Sequence, residues 1–184
     1  RVKIPLAQYH CELAELDARD GHPKKAVARL RKALQVRPDC VRAALRLADL
    51  YMDLGQQGEA LAILSPLAVQ SPDMVAEGLK PLQRCLPDTD PRYEQVLELW
   101  LQHSGSASVA LELARLKELR NGTEEAESFI LRELKRHPNM KSFVRLIDLR
   151  LAEMETPRAR ESMEMLRLLV DEQIRAKPRY HCVH

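Results

Sequence analysis

The sequence predicts an all-α protein, a right-handed α-solenoid of stacked helix pairs that is irregular in its middle. Three observations carry this. Apolar and small residues recur every 34 positions. Leu, Ala, Arg and Glu dominate while aromatics are only 4%, a mixture that favours helix. Glycine and proline punctuate the chain where helices of about fourteen residues would end and restart.

The register is read by sliding the chain 34 residues along itself. Leu13 falls on Leu47, Ala14 on Ala48, Leu16 on Leu50, Gly21 on Gly55, Ala26 on Ala60 and Leu30 on Leu64, and Pro38-Asp39 falls on Pro72-Asp73. A third copy lies 100 residues after the first, two periods of 34 and one of 32, with Leu113, Ala114, Leu116, Ala126 and Pro138 in the matching places. This pattern resembles the tetratricopeptide repeat, a 34-residue helix-turn-helix unit. The usual aromatics of its first helix are mostly replaced, with Tyr51 standing at the tyrosine position.

Each element follows in order. Helices are expected at 7–20 and 23–36, then at 41–54 and 57–70. Gly21 and Gly55 suit the left-handed residue that closes a helix. Pro23 suits the first helical position, where its missing N–H is not needed. Five of the eleven prolines fall between 66 and 91, and Pro66 and Pro81 interrupt helical patterns that they should kink or break. A distorted pair is expected at 73–86 and 91–103, a loop at HSGSAS, a regular pair at 107–120 and 123–136, and a closing pair at 139–153 and 157–176. Thr156-Pro157 reads as an N-cap and first position, and the chain after Pro178 as extended. The mid-helix alanines Ala26, Ala60 and Ala126 should be buried where helices cross.

Composition excludes several function classes. Hydrophobic content of 45% with 30% charge describes a folding chain. A net charge of +2 does not mark a nucleic-acid binder, and no nucleic-acid partner is expected. No run of eighteen apolar residues is present to span a bilayer. The chain opens on Arg1 with neither Met nor a signal-peptide pattern and reads as part of a longer protein. Four irregularly spaced cysteines in a helical chain indicate thiols in a reducing compartment rather than a disulfide framework.

No glycine-rich phosphate loop and no Ser-His-Asp or Cys-His constellation is legible, so no catalytic residue is assigned and the chain is read as a non-enzyme. Cys11, Cys40 and Cys85 sit in helical apolar patterns and read as structural thiols. The basic clusters at 29–32 and 131–136 read as solvated helix faces, and Trp100 as a packing anchor between helices. Cys182 differs. It lies beyond a proline, among Arg175, Lys177 and Arg179, with no nearby acid, and cations favour the thiolate that metals bind. A closed metal site needs four ligands, and His181 beside Cys182 would point the other way in an extended chain. On residues 1–184 alone, Cys182 reads equally as an incidental thiol or as one ligand of a larger site.

Four stretches carry a more specific resemblance: YHCELAELDARDG, LKRHPNMKSFVRLIDLRL, RARESMEMLRLLVDEQI and RAKPRYHCVH. Together they resemble the lipopolysaccharide assembly protein B family, whose members join an N-terminal membrane anchor, a tetratricopeptide array and a C-terminal rubredoxin-like knuckle with two C-x-x-C pairs. The resemblance implies a repeat array over 1–177 and the start of a truncated knuckle at 178–184, with Cys182 its first metal ligand. The remaining ligands would lie past His184, so zinc or iron is expected in the full-length protein and none on this stretch alone. The implied role is control of lipopolysaccharide synthesis at the cytoplasmic side of the bacterial inner membrane. There the family adapts the FtsH protease to the lipid A deacetylase LpxC and answers to a membrane-embedded regulator. A generic tetratricopeptide scaffold and a rubredoxin-type redox protein are the alternatives.

Overall fold

The computed structural model describes residues 3–153 and 157–176. Every element among them is helical: α1 (Lys3–Arg19), α2 (Pro23–Val36), α3 (Val41–Asp53), α4 (Gln57–Leu64), α5 (Leu67–Gln70), a 3₁₀ segment (Pro72–Gly78), α6 (Leu79–Cys85), α7 (Pro91–Ser104), α8 (Ala107–Asn121), α9 (Thr123–Arg136), α10 (Met140–Glu153) and α11 (Pro157–Ala176). They divide into two compact units, Arg1–Val109 and Ala110–His184.

In the first unit α1 packs on α2 and α3 on α4, the paired arrangement that the 34-residue register predicts. The turns are set by glycine. Gly21 and Gly55 have φ of 76° and 72°, a region that side chains with a Cβ rarely enter. Each closes a Schellman motif: His22 N–H bonds the Asp17 carbonyl at 2.8 Å and Gly21 N–H that of Ala18 at 3.2 Å. One period later, Gln56 N–H bonds Tyr51 at 2.7 Å and Gly55 N–H bonds Met52 at 3.0 Å. Pro23, Pro91 and Pro157 each open a helix, as expected of a residue with no N–H to satisfy. Ala26, Ala48, Ala60 and Ala126 are completely buried, with Ala14 and Ala114 close behind.

The middle departs from two regular helices, and the prolines say why. Pro66 ends α4: it has no N–H to offer, and the chain restarts as α5 with Val69 and Gln70 N–H bonding the Pro66 carbonyl at 3.0 and 3.1 Å. Pro81 does not break a helix at its own position, as the sequence suggested. It sits in the first turn of α6, where the amide it lacks has no partner, and the disruption moves upstream to Gly78, where 3₁₀ gives way to α-helix. Seven residues of 3₁₀ is long for that geometry and marks the poorest regular structure in the unit.

Gly78 has a packing reason. A Cβ there would lie 2.5 Å from Leu67 Cδ2 and 2.8 Å from Trp100 Cη2, both in buried side chains. Gly78→Ala gains roughly 0.4–1 kcal/mol by restricting the unfolded chain, but displacing the indole costs roughly 1–3 kcal/mol. The net expectation is a loss of about 1–2 kcal/mol, checked by urea unfolding. A stabilised variant would show that the 3₁₀ segment does not rest on the indole.

In the second unit α10 packs between α9 and α11. The Asn139 side-chain carbonyl accepts from Ser142 N–H at 2.8 Å and caps α10. Glu127, on the buried side of α9, is only 8% exposed and pairs with Arg150 from α10. Arg150→Ala leaves that carboxylate buried without its cation, at a cost of about 1–3 kcal/mol. The double variant with Glu127→Gln should recover part of the loss in thermal unfolding, and no recovery would mean the pair does not couple α9 to α10.

Candidate functional site

In the first unit α1, α2 and α3 bound a groove of about 250 Å³ with an apolar floor of Ala14, Ala18, Leu30 and Leu50. Its walls are charged: Glu15 and Arg19 from α1, and Arg46, Asp49 and Asp53 from α3. Small alanines at the i and i+4 positions of α1 keep the floor open, while the charged positions fall one residue along the helix, at its rim.

The rim charges are tied from one repeat to the next. Arg42 Nη2 donates to Glu15 at 2.9 Å, and Arg46 lies 3.6 Å from the same carboxylate. The Arg42 hydrogen bond holds the Glu15 carboxyl below its ordinary pKa, against a smaller opposing effect of burial. Arg84 of α6 reaches back to α3, 2.5 Å from Asp49 and 3.0 Å from Asp53. Glu15 and Asp49 are one 34-residue period apart, so each acid is met by an arginine from the following repeat. The second unit repeats the device: Arg145 pairs with Glu118 at a sequence separation of 27, the same as Arg42 and Glu15.

Such pairs are exposed enough to contribute under about 1 kcal/mol each. Their consequence is a fixed pattern of both charges along the rim. The groove offers fixed carboxylates and guanidinium groups above an apolar strip, which suits an extended protein segment carrying charges of both signs.

The residues singled out from sequence fall as follows. Trp100 is fully buried on α7, and its indole N–H donates to the Ser65 carbonyl at 3.0 Å. That carbonyl is released by the break at Pro66, because Val69 N–H turns to Pro66 instead. Trp100 is therefore an anchor, as expected, joining α7 to the broken end of α4. The cluster at 29–32 is a solvated face engaged in local pairs: Arg29 with Asp17, and Arg31 with the Tyr51 hydroxyl at 2.7 Å and across its ring. The cluster at 131–136 behaves alike, through Arg132 to Glu125 and Arg136 to Glu133. Cys11, Cys40 and Cys85 are buried. Cys11 lies on α1, Cys40 at the N-cap of α3 and Cys85 on α6.

Cys182 and the stretch after Pro178 expected to be extended lie outside the described residues, as do Thr156 and the boundary at 177/178. Among the described residues no group of three or more His, Cys, Asp and Glu side chains is placed to hold a metal ion. No described helix is long and apolar enough to cross a membrane. On α11, Met165, Leu166, Leu168 and Leu169 are exposed by 48–64%.

The comparisons with known proteins agree with this architecture. A tetratricopeptide-repeat family model matches residues 18–80, which covers α2 to α5 and the groove's far wall. Lipopolysaccharide assembly protein B of Escherichia coli (strain K12) is 32% identical over 184 residues, 99% of this chain and 47% of that protein. The protein of the same name from Haemophilus influenzae is 34% identical over 186 residues, 98% of this chain and 46% of that protein. The chain thus spans about half the length of the curated relatives it matches. Among solved structures, a MamA RS-1 double mutant superposes with a TM-score of 0.50 at 12% identity, covering 91% of this chain and 96% of that one, a likeness of fold alone. The chain carries tetratricopeptide repeats and is similar along nearly all its length to about half of lipopolysaccharide assembly protein B.

Proposed function

We propose that this chain is the repeat-bearing part of a regulator of lipopolysaccharide synthesis, a protein-binding scaffold rather than an enzyme. The observation that carries the reading is the continuous similarity to lipopolysaccharide assembly protein B over 99% of the chain at 32% identity. The groove on α1 to α3, with both signs of charge above an apolar floor, supports a role in holding a protein segment. In the finer form of the reading the scaffold brings the deacetylase LpxC to the FtsH protease at the cytoplasmic face of the inner membrane. A membrane-embedded regulator opposes this, and an anchor elsewhere in the protein tethers the array.

Cys182 is, on the same proposal, the first thiolate of a rubredoxin-like knuckle completed by residues beyond His184. The described residues hold no cluster that could replace the missing ligands. A zinc or iron ion there would supply folding energy to the knuckle. The chain's own contribution is the thiolate, with the cations Arg175, Lys177 and Arg179 nearby in sequence to favour it.

The test uses the full-length protein in its own cells. Cys182→Ser should lose metal by elemental analysis and raise LpxC on immunoblot, while far-UV circular dichroism shows the helices intact. A variant that keeps its metal and normal deacetylase levels would remove both the ligand assignment and its link to degradation. Deleting the gene with no change in LpxC would remove the adaptor reading itself.

A further inference from the structure

We propose that the crossing of α1 and α2 carries a phosphate site, a cationic pocket of Lys25, Arg29 and Lys32 beside His10 that takes a phosphomonoester group. The inference does not rest on the adaptor reading or on Cys182.

The sequence of α2 prepares the site. PKKAVARLRKALQV holds five cations and no acid. Ala26, Leu30 and Ala33 form its buried stripe. Lys25, Arg29 and Lys32, at i, i+4 and i+7, form a second stripe beside that one, with the small Ala28 among them. These four residues and His10 of α1 line a pocket of about 270 Å³. Its lining carries no acid, whereas the groove across α1 to α3 carries Glu15, Asp49 and Asp53.

The charges of this pocket are largely uncompensated. Lys25 and Lys32 are exposed and pair with no carboxylate among the described residues. Arg29 donates through Nε to Asp17, and its two Nη nitrogens have no partner among the described residues. Asp17 therefore fixes the guanidinium and cancels one charge, while both lysine charges remain. Arg31, by contrast, is engaged elsewhere, with the Tyr51 hydroxyl and ring and with Glu59. His10 Nδ1 is buried with no hydrogen-bond partner. A buried N–H without an acceptor is rare in folded proteins, so the ring proton belongs on Nε2, the nitrogen left to donate to a ligand.

Charge and shape set the ligand class. Two ammonium groups and the open edge of a guanidinium offer more donors than one carboxylate accepts, and a phosphomonoester, with up to two charges and three terminal oxygens, meets them together. Leu6 lies one turn before His10, and the Tyr9 ring centroid is 6.1 Å from that of His10. Both side chains are exposed, so the pocket has an apolar border on the α1 side. A phospholipid headgroup makes use of that border, and a soluble phosphate ester does not.

The experiment acetylates the lysines of the full-length protein at constant ionic strength and reads each one by peptide mapping. The probes are inorganic phosphate, dihexanoyl phosphatidic acid and dihexanoyl phosphatidylcholine. At saturating phosphate the Lys25 and Lys32 rates should fall by about threefold or more, while exposed Lys24 and Lys80, outside the pocket, keep theirs. Protection by phosphatidic acid at a lower concentration than by phosphate assigns the site to a lipid headgroup, and protection at equal concentrations assigns it to a soluble phosphate ester. In calorimetry Lys25→Gln and Lys32→Gln should each weaken phosphate binding by about tenfold, the loss of one charge-assisted contact, with circular dichroism unchanged. Unchanged acetylation, equal slowing of Lys24 and Lys80, or protection by phosphatidylcholine that matches phosphatidic acid overturns the proposal. Protection by a hexaglutamate peptide with none by phosphate also overturns it and makes this face a contact for an acidic protein segment. The wild-type lysine map decides the matter even if a glutamine variant does not fold.

Discussion

Trp100→Ala lowers the stability of the first unit by about 3–5 kcal/mol, the range for deleting a buried large aromatic. The indole is completely buried, so its removal both exposes apolar surface and leaves a cavity beside Gly78 and Leu67. It also strips the Ser65 carbonyl of its donor, and Pro66 prevents the helix from supplying another. Trp100→Phe keeps most of the packing but not the N–H, so it should cost about 1–2 kcal/mol, near the penalty for one unsatisfied buried carbonyl. Urea unfolding followed by circular dichroism measures both. Equal losses for Ala and Phe would place the energy in the hydrogen bond. A loss under about 1 kcal/mol for Ala would mean that α7 is not anchored through this residue.

Ala60→Leu is expected to lower stability by about 1–3 kcal/mol and the melting temperature with it. Burying a leucine is favourable by about 1.5–3 kcal/mol where there is room. Ala60 has none: it is fully buried on α4, where that helix packs on α3 and α6. The larger side chain must force the helices apart, and the alanine register is what lets them approach. Leu at exposed Glu59 of the same helix should be near neutral, which controls for helix propensity. A neutral Ala60→Leu would mean that the register assigns the wrong residue to the crossing.

What the sequence by itself determined is the part governed by local constraint and by period. Ala26, Ala60 and Ala126 lie buried, Gly21 and Gly55 take positive φ, and Pro23, Pro91 and Pro157 open helices. Each follows from a residue's own backbone range or from 3.6-residue periodicity, so no knowledge of neighbours is needed. The regular helices at 23–36, 41–53 and 123–136 were legible for that reason, whereas α7 at 91–104, expected as half of a distorted pair, is a regular helix.

The tertiary structure alone decided what depends on residues far apart in sequence. Nothing local says that Pro81 would spare its own turn and shift the break to Gly78, because that depends on Trp100 and Leu67 arriving where a Cβ would sit. The candidate groove shows the same division. Ala14, Leu30 and Leu50 of its floor stood in the repeat register, but its charged rim comes from pairs 27 and 35 residues apart, Arg42 with Glu15 and Arg84 with Asp49. Side-chain pairing across repeats is set by how helices stack, and stacking is a property of the packed chain that no single window of sequence contains.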